Sequence, residues 1–358
     1  MPRVKIGLIG CGAIAQVQHM PNLMELQDLF DVTTVCDISQ GAAQYVAKRF
    51  HVPNWTTDYR ALLDGDVDAV LHCAGGYKPD AAVAVFEAGK HLFLEKPVCA
   101  SLKDIDRMIV AQDVAGKVGQ TGYMKIFDPA FRVAEKEAET IGQVQFAQVN
   151  HLHPNNALHL AQFDVRHFND VPKDVIAHEQ KLHEQAVLDA IGEVDPASVR
   201  AFGVLSGSMI HDIYGMRLIL GMPKQVVSTE IWREGRAITF TLEYENGCRC
   251  VASWVDLPNL WDFKESLEIY GDDKRVALSY PTGFSRGQLS RVIVQGIDGN
   301  GVTYRQEPAI DWDNAFVLEL KHFYDCIVNG EACRAPLTDA RDDIALIIDV
   351  IKKYSESC

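Results

Sequence analysis

The chain is short of cations for its acids. Lysine and arginine together number 34 against 49 aspartates and glutamates, a formal net charge of −15 at pH 7. Like charge repels phosphate backbones and anionic lipid heads, so neither nucleic acid nor a membrane surface is expected as a partner. No apolar run is long enough to cross a bilayer. A strand pattern that begins near Val4 leaves no room for a signal peptide, and a cytoplasmic location is expected. Nine cysteines are present, but none stand as C-x-x-C and the count is odd; buried, reduced thiols are the simplest reading. Cys248 and Cys250 alternate along a strand, point to opposite faces and cannot share a ligand. Neither an internal repeat nor a low-complexity tract interrupts the chain.

What is present is an ordinary globular composition, 47% hydrophobic and 23% charged, over 358 residues. That length favours two domains. Residues 1–122 alternate short apolar strands (near 4–9, 31–36, 68–73, 91–94 and 117–121) with helical stretches at 41–50, 81–88 and 102–115. Such alternation implies an α/β, doubly wound parallel sheet. Pro21 interrupts the first helical stretch and Pro53 ends the second. From 123 to 358 the pattern changes. A helix at 129–140 and a strand at 143–149 precede β-type segments at 225–231, 237–244, 248–255, 265–270, 275–278 and 292–295, with Glu245-Asn246-Gly247 as a hairpin turn. Short turns between them predict a large, mostly antiparallel sheet in an α+β domain, closed by helices at 315–329 and 339–355 that pack back toward the first domain.

Two local segments carry the chemistry. An apolar strand runs into Gly10-Cys11-Gly12-Ala13-Ile14-Ala15, and Asp37 ends the next strand. Gly10 allows the tight turn, Gly12 lets backbone approach a pyrophosphate, and the helix N-terminus faces the phosphates. Asp37 can accept hydrogen bonds from a ribose diol and repels a 2′-phosphate, which favours NAD over NADP; the competing role is a helix N-cap. A later strand ends in Glu95-Lys96-Pro97, at the sheet edge where ligands of such folds bind. Together these segments resemble the glucose–fructose oxidoreductase, inositol dehydrogenase and rhizopine-catabolism (Gfo/Idh/MocA) family over nearly the whole chain, with an atypical insertion at about 155–206.

The resemblance implies a second domain whose sheet is open on one face, and a homodimer or homotetramer formed through that face. Trp232, Trp254 and Trp261 are consistent with a buried sheet face or with core filling. It also implies that Lys96 lies near the nicotinamide and steadies a developing alkoxide, and that His211 passes the proton. Gly10, Cys11, Gly12, Ala13, Ile14, Asp37, Ala74, Gly75, Glu95 and Lys96 are the expected cofactor contacts. Lys125, His153 and Ser208 are the expected substrate contacts, and His151 shares one strand face with His153.

Two departures stand out. Relatives place an aspartate four residues before the histidine, where this chain has Gly207; Asp212 points about 100° away on a regular helix, and Ser208 is the remaining nearby hydroxyl. Relatives also carry Thr-Pro-Asn where Ala74-Gly75-Gly76 stand, and a histidine in place of Pro79. The histidines of the insertion invite a metal reading, but His178 and His183 lie about 140° apart on a helix, so no metal site is expected. Three activities stay open: NAD-dependent oxidation of a sugar or cyclitol alcohol, a redox-neutral reaction with retained NAD, and a non-catalytic nucleotide and sugar sensor. Net turnover of free NAD separates the first two, and loss of both Lys96 and His211 without consequence would favour the third.

Overall fold

The computed structural model describes residues 2–285 and 287–356. Proximity along and across the backbone divides the chain into two compact units. One contains Met1–Tyr123, Phe163–Gly192 and Phe316–Ile344; the other contains Met124–Gln162, Glu193–Ala315 and Ala345–Cys358. The division is therefore not a single cut, because much of the insertion and a C-terminal stretch belong with the N-terminal residues.

The first unit is built on six parallel strands: β1 (Val4–Ile9), β2 (Phe30–Cys36), β3 (Asn54–Thr56), β4 (Ala69–His72), β5 (His91–Glu95) and β6 (Gly119–Gly122). Their order, β3-β2-β1-β4-β5-β6, reverses direction between β1 and β4, which places a crevice at the carboxyl ends of those strands. The central strands are mostly apolar and almost wholly buried, as a helix-covered parallel sheet requires. Pro21 does not break the first helical stretch. It falls at the start of the helix Met20–Glu25, after a π-wound turn at Ala15–His19, so its missing N–H removes no regular helical bond. The helix Leu102–Ala115 follows sequence chemistry closely, with Ser101 accepting the Asp104 amide and Gly116 ending it in the left-handed region at φ 62°.

The second unit holds an eight-stranded sheet: β7 (Phe146–His153), β8 (Gln225–Trp232), β9 (Ala237–Glu243), β10 (Arg249–Asp256), β11 (Lys264–Tyr270), β12 (Lys274–Tyr280), β13 (Arg291–Ile297) and β14 (Thr303–Gln306). The order is β14-β13-β12-β11-β7-β10-β9-β8, antiparallel except for the parallel pair β7–β10. Burial alternates along β7, β9 and β10, so one face packs inward and the other is only partly covered. The three tryptophans do not share one buried face: Trp254 is buried, whereas Trp232 and Trp261 are 41% and 80% exposed. Trp232 ends the edge strand β8 and Trp261 lies in the β10–β11 connection, so neither reaches the packed side.

Eight cysteines fall among the described residues, all as free thiols; Cys358 lies outside them. No helix among the described residues is long and apolar enough to cross a membrane.

Candidate active site

In the first unit the glycine turn is dictated by contact as much as by conformation. Gly10 has φ +93°, and a Cβ there would stand 2.2 Å from the backbone nitrogen of Ala74. Gly12 and Gly75, by contrast, face open space, with no atom within 4 Å of an added Cβ. The turn is thus closed toward β4 and open where a diphosphate would approach, so the residues present fit a dinucleotide. Gly10→Ala is expected to cost about 1–3 kcal/mol from backbone strain alone, read as a lowered denaturation midpoint together with weaker NAD binding.

Asp37 is not a helix cap. Ser39 is, since its Oγ accepts the Ala42 amide at 3.0 Å. Asp37 instead accepts the Cys11 amide through Oδ2 at 2.7 Å and the Ser39 amide through Oδ1 at 2.8 Å. Its carboxylate therefore ties the glycine turn to the end of β2, where a ribose diol is read in such folds.

From sequence, the insertion reads as a charged, amphipathic helix across about 175–188 that covers the pocket or extends the subunit interface; the structure also gives a place to the stretch before that helix. Residues 164–170 lie across this same region of the first unit. The Gln16 side-chain amide bonds Arg166 twice, donating to its carbonyl at 3.0 Å and accepting its amide at 2.9 Å. Arg49 donates to the Asp164 carbonyl at 2.9 Å. Phe168 packs so closely on Gly41 that a Cβ there would come within 2.7 Å of its ring. Asp170 accepts from the Ser39 hydroxyl and, at 2.7 Å, from the Gly41 amide. A second carboxylate thus stands beside the loop that follows Asp37.

Lys96 follows β5 directly and rests on a buried polar cluster. Glu95 accepts the Lys96 amide at 3.1 Å and pairs with His19 Nε2 at 2.6 Å. Lys78, buried under the loop that departs from the family pattern, donates to the Glu95 carbonyl at 2.5 Å. Burial pushes the Lys78 ammonium down to about 8 against the pull of Glu95, and Lys96 adds to the lowering. Burial likewise holds Glu319 well above the ordinary carboxyl range, with Glu95 adding to the effect. No motif announces His19, Lys78 or Glu319; each is distant in sequence from Lys96.

In the second unit, strand register lines up four side-chain positions across neighbouring strands: Trp254 opposite His151, His151 opposite Glu265, and Glu265 opposite Tyr280. All four are buried. Lys125, expected as a substrate contact and open to a solvated reading, is buried too. Its ammonium pairs with Glu265 and sits 4.7 Å from the Tyr280 ring centre. Glu265 is held above the usual carboxyl range by burial and then by Asp212, with Lys125 opposing.

His151 and His153 do share one face, and they form a chain. Asp212 lies 2.7 Å from His151 Nδ1, and His151 Nε2 lies 3.1 Å from His153 Nδ1. A carboxylate can only accept, so His151 Nδ1 donates to it. The Nε2 of a neutral His151 then accepts from His153 Nδ1–H, which leaves His153 Nε2 as the outer acceptor. Burial, reinforced by His151, pushes His153 down to about 4, which keeps it neutral near pH 7.

Asp212 turns inward to His151, while its neighbour His211 places Nδ1 2.7 Å from the Tyr214 hydroxyl. Tyr214 also accepts the Lys125 amide at 3.1 Å. Ser208 is engaged elsewhere, accepting the Trp254 indole N–H at 2.9 Å. The segment Leu205–Met209, which contains Gly207, is π-wound, so the one-turn spacing assumed for a regular helix does not apply there. A tyrosine one turn after the histidine meets the ring.

Comparison with known proteins agrees with both sheets. Residues 4–123 match the family model described as oxidoreductase family, NAD-binding Rossmann fold. Residues 197–357 match the model of the family's C-terminal alpha/beta domain, so much of the insertion falls between the two. An inositol 2-dehydrogenase from Paracoccus denitrificans is 31% identical over 338 residues, covering 92% of this chain and 87% of that protein. Among solved structures, an oxidoreductase from Agrobacterium radiobacter in complex with NAD+, L-tartaric acid and magnesium superposes with TM-score 0.73 at 17% identity, covering 100% of this chain and 98% of that one. KijD10, a 3-ketoreductase from Actinomadura kijaniata in complex with NADP, gives TM-score 0.74 at 17% identity, covering 99% and 98%. At that identity the structures show the fold alone, but the family models and the Paracoccus relative reach further: the chain belongs to the Gfo/Idh/MocA family and is an NAD(P)-dependent oxidoreductase.

Proposed function

We propose that the protein transfers hydride between NAD and a secondary alcohol of a sugar, sugar derivative or cyclitol. The observation that supports this most is Lys96 at the carboxyl end of β5, in the same parallel sheet as the open Gly10–Gly12 turn. Bound NAD supplies the hydride acceptor. The Lys96 ammonium steadies the oxygen as it gains charge, and His211, held by Tyr214, takes the hydroxyl proton. His153 Nε2 accepts a further substrate hydroxyl, while Lys125 acts indirectly by fixing Glu265. A polyol fits this set of neutral acceptors, and the Paracoccus relative, an inositol 2-dehydrogenase, points to a cyclitol.

NAD is the preferred cofactor because two carboxylates, Asp37 and Asp170, lie beside the loop that would receive a 2′-phosphate. Asp37→Ala with Asp170→Asn is expected to narrow the NAD-over-NADP preference by about tenfold or more in direct binding titrations. Unchanged discrimination would remove both residues from that role. The oligomer is a homodimer or homotetramer through the partly covered face of the second sheet, in a cytoplasmic setting.

The activity test is NADH formation by purified protein across a panel of sugars and cyclitols, with Lys96→Met and His211→Ala as controls. One feature favours the redox-neutral alternative: residues 164–170 pack on Gln16, Ser39 and Gly41 beside the cofactor turn, where they would slow cofactor exchange. If the protein purifies with bound NAD, converts a polyol derivative and releases no NADH, that alternative replaces the first.

A further inference from the structure

The C-terminal part of the first unit contains a cluster that hydride transfer does not use. His322 and Cys326 stand four residues apart on the helix Ala315–Val328 and so share one face. Cys333, on the segment after that helix, completes a group whose donor atoms all lie within 4.8 Å of one another. His322 Nε2 is 3.3 Å from Cys326 Sγ. Tetrahedral zinc with ordinary bond lengths needs about 3.6 Å between a nitrogen and a sulfur ligand and about 3.8 Å between two sulfurs. The other ring nitrogen, Nδ1, lies 3.9 Å from Glu331, too far for a hydrogen bond but on the side from which a carboxylate could close in to orient a metal-bound imidazole.

We propose that His322 Nε2, Cys326 Sγ and Cys333 Sγ bind one zinc-class divalent ion, with water in the fourth position and Glu331 as the outer carboxylate. Thiolate and imidazole donors select zinc over magnesium or calcium, which take oxygen ligands. Two thiol protons go to solvent on binding. The Nε2 lone pair that now accepts the Arg334 amide at 2.9 Å passes to the ion, so that hydrogen bond and the Cys326–His322 contact are exchanged for three coordinate bonds. The sequence spacing, H-x3-C-x6-C, matches no zinc motif and contains no C-x-x-C, which is why it carries no signal.

The site's position indicates its work. The segment bearing Cys333 continues into Ala335, whose carbonyl accepts the Thr121 amide at 2.8 Å, and into Pro336, which bridges Gln120. This segment therefore covers the outer edge of β6, the last strand of the parallel sheet. Exposed strand edges need such cover. The ion ties the cover to the helix that underlies it, a structural role separate from the dinucleotide turn.

The test uses the full-length protein, purified without chelator. Bound zinc is measured directly, and cobalt(II) is titrated into chelator-treated protein. One ion per chain is expected, with a near-ultraviolet thiolate-to-cobalt charge-transfer band. Cys326→Ser with Cys333→Ser is expected to abolish the band, and Glu331→Gln to weaken cobalt binding by about 10–100-fold. Should the double variant fail to fold, thiol labelling of wild type provides an independent reading: zinc should protect the partly exposed Cys333 thiol, which labels in its absence. No thiolate band with wild type, or equal thiol labelling with and without zinc, overturns the proposal.

Discussion

Replacing Lys96 with methionine is expected to lower kcat by about 10²–10³-fold while leaving NAD affinity essentially unchanged. The magnitude is that of removing one preorganised donor from an oxygen that gains charge only in the transition state. Methionine keeps the length and apolar stem of the side chain but not its charge. Lys78, the buried cation of the cluster, is committed to the Glu95 carbonyl and is not free to take its place. Steady-state kinetics on the substrate found in the polyol panel, with direct NAD titration of the same variant, checks the two halves separately. Wild-type turnover by Lys96→Met would take Lys96 out of the chemistry altogether. A loss confined to NAD binding would make it a cofactor contact only.

How much of this was legible in the sequence depends on how local each feature is. The glycine turn, Asp37 and Lys96 read directly, because strand, turn and helix succeed one another within a few residues and each residue type has a steric or electrostatic reason. The doubly wound parallel sheet followed from the same alternation, though its strand order did not. Strands β3 and β14 escaped notice, being three and four residues long and mostly exposed, with no apolar period to mark them. The row Trp254–His151–Glu265–Tyr280 was out of reach for another reason. Its members come from four strands, and only tertiary register brings them side by side.

His211 shows both sides of this limit. Loss of the usual aspartate at Gly207 was visible, and so was the unsuitability of Asp212 as its replacement. What took over was not visible. The π-wound turn at Leu205–Met209 alters the helical phase, and the hydroxyl that meets Nδ1 comes from Tyr214, on the following turn. Asp212, unsuited to His211, serves His151 instead. The insertion taught a similar lesson. Its charged helix, Lys173–Ile191, was readable as amphipathic, but the residues that engage Ser39, Gly41 and Gln16 lie in the irregular stretch before it, where no periodicity operates.

Lys125→Met is expected to produce the largest loss of stability, about 3–5 kcal/mol, because removing one partner of a buried ion pair leaves the other uncompensated. The remaining charge is Glu265, buried with Oε2 lacking a hydrogen bond and with Asp212 nearby. The pH dependence has a definite sign. Glu265 is already raised above its unfolded value near 4.5 by burial and Asp212, and Lys125 restrains that rise. A carboxyl raised in the folded state contributes stability that is present below the unfolded value and lost as pH climbs through the folded one. Without Lys125 the folded value climbs further, so the deficit of the variant should be smaller at about pH 5 than at about pH 8. Urea unfolding of both proteins at the two pH values measures it. Adding Glu265→Gln removes the charge and should recover most of the loss, since an amide of the same shape needs no counter-ion. If the double variant is no more stable than Lys125→Met alone, the pair is not what the lysine sustains, and Lys125 must instead matter through its contact with Tyr280.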